Sequence, residues 1–341
     1  MQIKIATIIS GLLIFSVPCS HVCAQATLDR AHADEPQGTS AESPLVLSHG
    51  VGLFKVGPLL VHDEFEDLDN WVVQIEERPG SKTACVEAKE HSLSCFVPGR
   101  GCTVWFKEKL PPRVTITYDV LCPTHAPPIK GVQPRDINNF WMATDPDDPD
   151  RGLFDSKRYT GNFSSYDKML GYYASTGGRN NVTTRMRRYP REANGSPVEH
   201  VALSDKDGKS GYLITPDKLM TVQLVAYDDV IQYIVDGRLN YQIRRGDKVR
   251  LEGRDSEGRP TEREAVYDLD RFPVYSEGFF GFRMVSTHHI YANFRVHGLE
   301  PDDSLDRKPT AAPPTRPIVE VASLEALRDA VVNSDQRIVL K

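Results

Sequence analysis

The chain has 341 residues with 41 Lys+Arg against 47 Asp+Glu, a formal charge of −6. That balance carries no basic footprint and argues against a nucleic-acid partner. With 40% hydrophobic and 26% charged residues, 24 Pro and 24 Gly, the composition is globular and excludes collagen-like or low-complexity arrays.

Met1–Ala24 reads as an export signal. Lys4 supplies the positive end, Ile5–Val17 the apolar stretch, and Val22-Cys23-Ala24 places small residues before a cut at Gln25. The apolar stretch falls short of the roughly 20 residues that span a bilayer. The expected product is secreted or periplasmic and leaves the membrane once the signal is cleaved. Cleavage removes one Lys and two Cys, leaving four Cys and a charge of −7. Export makes disulfides chemically accessible. Cys85 and Cys95 flank a hairpin turn at Glu87–Ser92, and Cys102 and Cys122 belong to neighbouring strands. All three pairings of four Cys stay open, and their spacing is not a zinc pattern.

Residues 25–45 mix Ala, Asp, Glu, Ser and Pro without periodicity and form a mobile leader. From residue 46 short β-branched or alternating runs follow one another. They include Trp71–Ile75, Thr103–Phe106, Val114–Tyr118, Met220–Val225 and Ile231–Val235. Asp236-Gly237 marks a tight hairpin into Leu239–Tyr241, and Phe279–Arg283 and His289–Phe294 close the series. Strands at roughly 8–12 residue spacing predict an all-β sandwich or barrel over 46–300. Pro301–Pro317 carries five Pro and no apolar pattern, as a linker does. In 318–341, Ser323 caps a helical pattern with apolar residues at 324, 327, 330 and 331, and Arg337–Leu340 reads as a strand. This phrase resembles the N-terminal cap and first strand of a right-handed parallel β-helix, a fold common among polysaccharide lyases. It points to a possible C-terminal β-helix domain as partner.

The chemistry concentrates in 134–191. Asp136, Asn138, Trp141, Tyr172, Tyr173, Asn181, Arg185, Arg187 and Tyr189 are the residue types a sugar site uses. Aromatic faces stack on pyranose C–H faces, amides and carboxylates take hydroxyl hydrogen bonds, and Arg forks clasp uronate carboxylates. Arg185-Met186-Arg187-Arg188 adds a local charge of +3 to an acidic protein. Plainer roles stand beside these: Trp141 as core, Asp136 and Asn138 as a strand's exposed face, the Gly177–Asn181 stretch as a turn.

The phrases Asp136–Ala143, Asn181–Tyr189, Gln232–Gly237, Gly281-Phe282-Arg283 to His288, and Asn293–Val296 resemble a bacterial domain family of unknown function. It belongs to the concanavalin A-like lectin/glucanase superfamily, and its members occur with polysaccharide degradation systems. The resemblance covers residues 60–298 and implies a two-sheet jelly roll whose concave face binds extended glycans. Where the family often carries Trp-Ser-His after Gly-Phe-Arg, this chain reads Ser286-Thr287-His288, keeping the His and lacking the Trp.

Two reactions suit a glycan. Hydrolysis needs two carboxylates flanking the bond, and Asp63-Glu64-Phe65-Glu66-Asp67 is the nearest phrase, reading as a strand-edge turn. β-Elimination on a uronate needs a base, a proton donor and a neutralised carboxylate. His288 or Tyr173 is the candidate base and Arg185 or Asn138 the carboxylate partner. Asp136, Trp141, Tyr172, Asn181, Arg187, Tyr189 and Arg283 are the candidate substrate contacts. No cofactor is required; calcium is a candidate through Asp145–Asp150, which also reads as a solvated acidic loop. The expected function is action on an acidic, uronate-containing polysaccharide by β-elimination. The alternative is a non-catalytic glycan-binding module attached to a β-helix polysaccharide lyase.

Overall fold

A computed structural model describes residues 54–80, 84–204, 213–302, 318–321 and 337–340. The signal, the leader and most of the linker and tail lie outside these residues.

Seventeen strands make up the first unit, with every pairing given by the structure antiparallel. They are β1 (Phe54–Asp63), β2 (Trp71–Ile75), β3 (Cys85–Lys89), β4 (Ser92–Phe106), β5 (Val114–Leu121), β6 (Ile137–Thr144), β7 (Leu170–Gly177) and β8 (Thr183–Tyr189). Then come β9 (Glu192–Ala193), β10 (Ser196–Pro197), β11 (His200–Ser204), β12 (Met220–Tyr227), β13 (Val230–Val235), β14 (Arg238–Ile243), β15 (Lys248–Arg254), β16 (Pro260–Val266) and β17 (Phe279–Pro301). The expected sandwich is present. The two closing runs of the sequence, however, belong to one 23-residue strand, β17.

That length explains the architecture. The first part of β17 pairs with the second half of β4 (Gly281 with Trp105) and with β6 (Gly281 with Phe140). Its later part pairs with the first half of β4 (Ile290 with Ser94) and with β5 (Val296 with Ile116). The two long strands thus run through both layers and change layer at bends. One bend is Gly99, at φ +69°; the other is Ser286, at φ +52° beside a register shift. Strands that switch sheets this way form the corners of a sandwich. Layer A is then β2–β4–β17–β6–β7–β8–β11–β15–β16, and layer B is β3–β4–β17–β5–β12–β13–β14.

Contacts between the layers show that they pack face to face. The Tyr118 ring of β5 stands 4.9 Å from Phe282 and its hydroxyl donates to Asn139 of β6. Thr176 of β7 meets the Tyr233 hydroxyl of β13, and Tyr241 of β14 donates to the Thr184 carbonyl of β8. The core between them is aliphatic and aromatic, including Trp71, Val104, Ile116, Trp141, Met186, Leu224 and Phe294.

One sequence expectation changes here. No disulfide joins Cys85, Cys95, Cys102 and Cys122. Cys85 and Cys95 do flank the β3–β4 hairpin, but Val86 is the residue opposite Cys95. The pleat therefore turns the two sulfurs to opposite faces. Among the described residues of the tail, which belong to a second unit, β18 (Ile318–Val321) pairs in parallel with β19 (Arg337–Leu340). The helix expected after Ser323 lies outside the described residues. Among the described residues, no helix is long and apolar enough to cross a membrane.

Candidate functional site

The outer face of layer A, turned away from the core, carries the polar chemistry. Along β6, Ile137 enters the core, while Phe140 joins a second aromatic cluster with Trp105, Tyr173 and Tyr189. Alternation then places Asn138 on the same outer face as Phe140. Across the strands the ladder sets two rungs. One reads Thr103, Arg283, Asn138, Ser175, Arg185, Ser204; its neighbour reads Trp105, Gly281, Phe140, Tyr173, Arg187, Ala202. Strands lie about 4.8 Å apart, so Arg283 to Arg185 spans about 14 Å, near three sugar rings.

Part of this face is sealed. The segment between β6 and β7 folds back and lays Leu153, Tyr159, Tyr166 and Met169 on Trp105 and Phe140. Gln74 ties the layers of this cover: its amide donates to the Leu153 carbonyl (2.7 Å), and its oxygen accepts from Trp105 Nε1 (3.0 Å) and the Tyr166 hydroxyl (2.8 Å). Asp145 anchors the segment. Its carboxylate takes the amides of Asp147 and Asp148, the Tyr159 hydroxyl and Arg158. Burial opposes the charge, yet these donors hold the carboxyl below its ordinary value. Asp145 is fully buried with both oxygens occupied by protein donors. Asp145 is thus spoken for by the protein, while residues 146–150 are exposed, the solvated acidic loop that was the plainer expectation.

The other part holds three arginines, of which Arg187 alone has a carboxylate within 4.0 Å among the described residues. Arg283 is fully buried; its Nη1 donates to the carbonyls of Cys102 (2.9 Å) and Met284, its guanidinium lies 5.4 Å from the Phe163 ring, and its Nε has no partner. Gly101 makes room for it, because a Cβ there would sit 2.7 Å from Arg283 Nη2 and 2.3 Å from the Gly161 carbonyl. Arg187 is buried, 6.0 Å from the centre of the Tyr173 ring and 4.0 Å from Glu252, with its Nε unpartnered. Arg185 makes no hydrogen bond or ion pair among the described residues. Burial and the neighbouring Arg187 hold its guanidinium below its ordinary pKa. Asn138 is 2% exposed and its Oδ1 is unpartnered. Asp136, at φ +60°, accepts from Arg135 Nε at 2.6 Å, and burial pushes its carboxyl up. Burial likewise raises the Tyr173 phenol, which stays protonated.

The structure therefore brings Asp136, Asn138, Tyr173, Arg185, Arg187 and Arg283 onto one face. Tyr189 joins them, but inside the sealed aromatic cluster, 5.7 Å from Phe140. Four expected residues lie elsewhere. Trp141 and Tyr172 pack in the inter-layer core, 5.5 Å apart. Asn181 clasps the backbone of Ile214 with both amide atoms, at 2.8 and 2.9 Å. His288 lies past the Ser286 bend, in layer B, where Nε2 meets Ser94 Oγ at 3.1 Å and Nδ1 meets His125 Nε2 at 3.2 Å. Burial lowers its pKa to about 4. Arg188 also departs from its neighbours, pointing inward to stack 4.1 Å from the Tyr275 ring centre. Ser175 and His200 are face residues that sequence reasoning missed. Ser175 was reachable by counting two from Tyr173, whereas His200 is placed by register alone.

Residues 97–253 match the family described as a domain of unknown function, DUF6250. None of the curated proteins compared matches the chain. Among solved structures, it is similar to a Bacillus subtilis protein of unknown function with a galectin-like fold (18% identity, TM-score 0.48, covering 72% of this chain and 98% of that one). It is also similar to the carbohydrate-binding module CBM66 of Bacillus subtilis (13%, 0.38, 67% and 96%). A third is the endo-β-1,3-glucanase of Pyrococcus furiosus (9%, 0.41, 74% and 99%).

Proposed function

We propose that this protein binds an acidic, uronate-containing polysaccharide along the Arg283–Asn138–Ser175–Arg185 rung. One observation carries the reading: Arg185 and Arg187 stand two residues apart on one largely buried face, and among the described residues no carboxylate lies within salt-bridge contact of Arg185. Uncompensated buried cations are costly, and a row of ligand carboxylates supplies the missing charge through forked hydrogen bonds. Asn138 Oδ1 supplies an acceptor for a sugar hydroxyl. The Met1–Ala24 signal supports a secreted or periplasmic setting, and the tail supports attachment to a β-helix domain.

The test is affinity electrophoresis of the full chain through gels containing polygalacturonate, alginate or the neutral glucan laminarin. Retardation is expected in the acidic gels, absent in laminarin, and weakened by salt. Equal migration in all three gels overturns the reading. β-Elimination is a second reading, favoured by the adjacent Arg185 and Arg187, which suit the neutralisation of a uronate carboxylate.

A further inference from the structure

One further buried histidine on this face keeps an unpartnered ring nitrogen. His200 opens β11, two residues before Ala202, the partner of Arg187, and lies directly across from Glu252 of β15. It is 7% exposed. Its Nδ1 lies 3.5 Å from the Val198 carbonyl, which can only accept, so Nδ1 carries the proton. Nε2 is then a buried lone pair, and it has no partner. Buried polar atoms in native folds are nearly always satisfied, so an orphan lone pair on the candidate face points to a ligand proton. Beside it opens a cavity of about 590 Å³, lined in part by Asp167, Arg191, His200 and Glu252.

We propose that His200 is the catalytic base of a β-elimination on a uronate held by Arg187 and Arg185. This rests on the acidic-glycan reading above. Nε2 takes the proton from C5 of the uronate, and that C–H electron pair becomes the C4–C5 double bond. The C4–O bond breaks, and the leaving oxygen takes a proton from water, whose hydroxide recovers the proton held by the imidazolium. The arginine forks neutralise the carboxylate and so stabilise the enolate-like intermediate. The charged groups facing His200 are Arg187 and Arg191 from the β8 side and Glu252 from β15. Burial, then Arg191 and Arg187, lower its pKa to about 4, so the imidazole is neutral and able to accept a proton at ordinary pH.

The experiment incubates the full chain with polygalacturonate and with alginate and follows the unsaturated-uronate absorbance, with binding measured in parallel by affinity electrophoresis. The wild type should generate the band. His200→Asn should slow it by about 100-fold or more while binding stays within a factor of two, and added imidazole should restore turnover to His200→Ala. Binding without any unsaturated product overturns the base assignment and leaves the binding reading standing. Product formation at an unchanged rate in His200→Asn also overturns it. Loss of binding by the wild type to both polymers overturns both readings. Imidazole rescue keeps the test decisive if His200→Asn folds poorly.

Discussion

The sealed and open parts of layer A's outer face are built on the same strands, one rung apart. The rung through Trp105, Phe140 and Tyr173 is roofed by the segment between β6 and β7. The rung through Arg283, Asn138, Ser175 and Arg185 keeps unpartnered guanidinium and amide atoms. In the first, every polar atom of Gln74 is bonded and the aromatic rings bury one another. In the second, burial has gone ahead without charge compensation. Packing that satisfies its own polar groups serves stability, and packing that leaves charge unmatched costs it.

That contrast fixes what substitutions should do. The largest effect is expected on the sealed side. Phe140→Ala removes a fully buried ring from between Trp105 and Tyr173 and should cost about 3–5 kcal/mol in denaturant unfolding; a loss below about 1 kcal/mol would break the distinction. Next comes the anchor of the cover. Asp145→Ala leaves the Tyr159 hydroxyl and two amides without their acceptor and Arg158 with Asp147 alone, and should cost about 3 kcal/mol. Its pH dependence has a definite sign. The folded carboxyl is held below 3.8, so its contribution is complete above that pH and fades as pH falls through the folded value. Stability measured from pH 6 down to pH 2 should show this loss in the wild type, and Asp145→Ala should lack that component. The smallest stability effect belongs to the open side. Arg185→Ala should change unfolding by about 0.5 kcal/mol or less, because no hydrogen bond or ion pair among the described residues is lost and repulsion with Arg187 is relieved. The same variant should weaken retardation in polygalacturonate gels about tenfold or more, the worth of one charge-assisted contact. A large stability loss with unchanged binding would place Arg185 among the structural residues.

Much of this was legible before any fold was known. The alternation in Val114–Tyr118 and Met220–Val225, the Asp236-Gly237 turn and the Cys85–Cys95 hairpin all survive as strands and turns. Period two also assigns Asn138, Tyr173, Arg185 and Arg187 correctly relative to their neighbours. The site failed to read out where alternation is interrupted. Met142, at φ +48°, accompanies a register shift after Trp141. Ser286 bends β17, carrying His288 out of the layer that holds Arg283 five residues earlier. Neither interruption is a Gly or a Pro, so neither carries the usual signal of a break.

Strand content, the hairpins and which residues alternate together follow from the chain's own pattern, because pleating and turn chemistry are local. Which face looks inward, which strands lie side by side, and hence which arginines stand together, depend on long-range register. That register is settled by packing two sheets whose shared strands must bend between them, a constraint linking residues nearly two hundred positions apart.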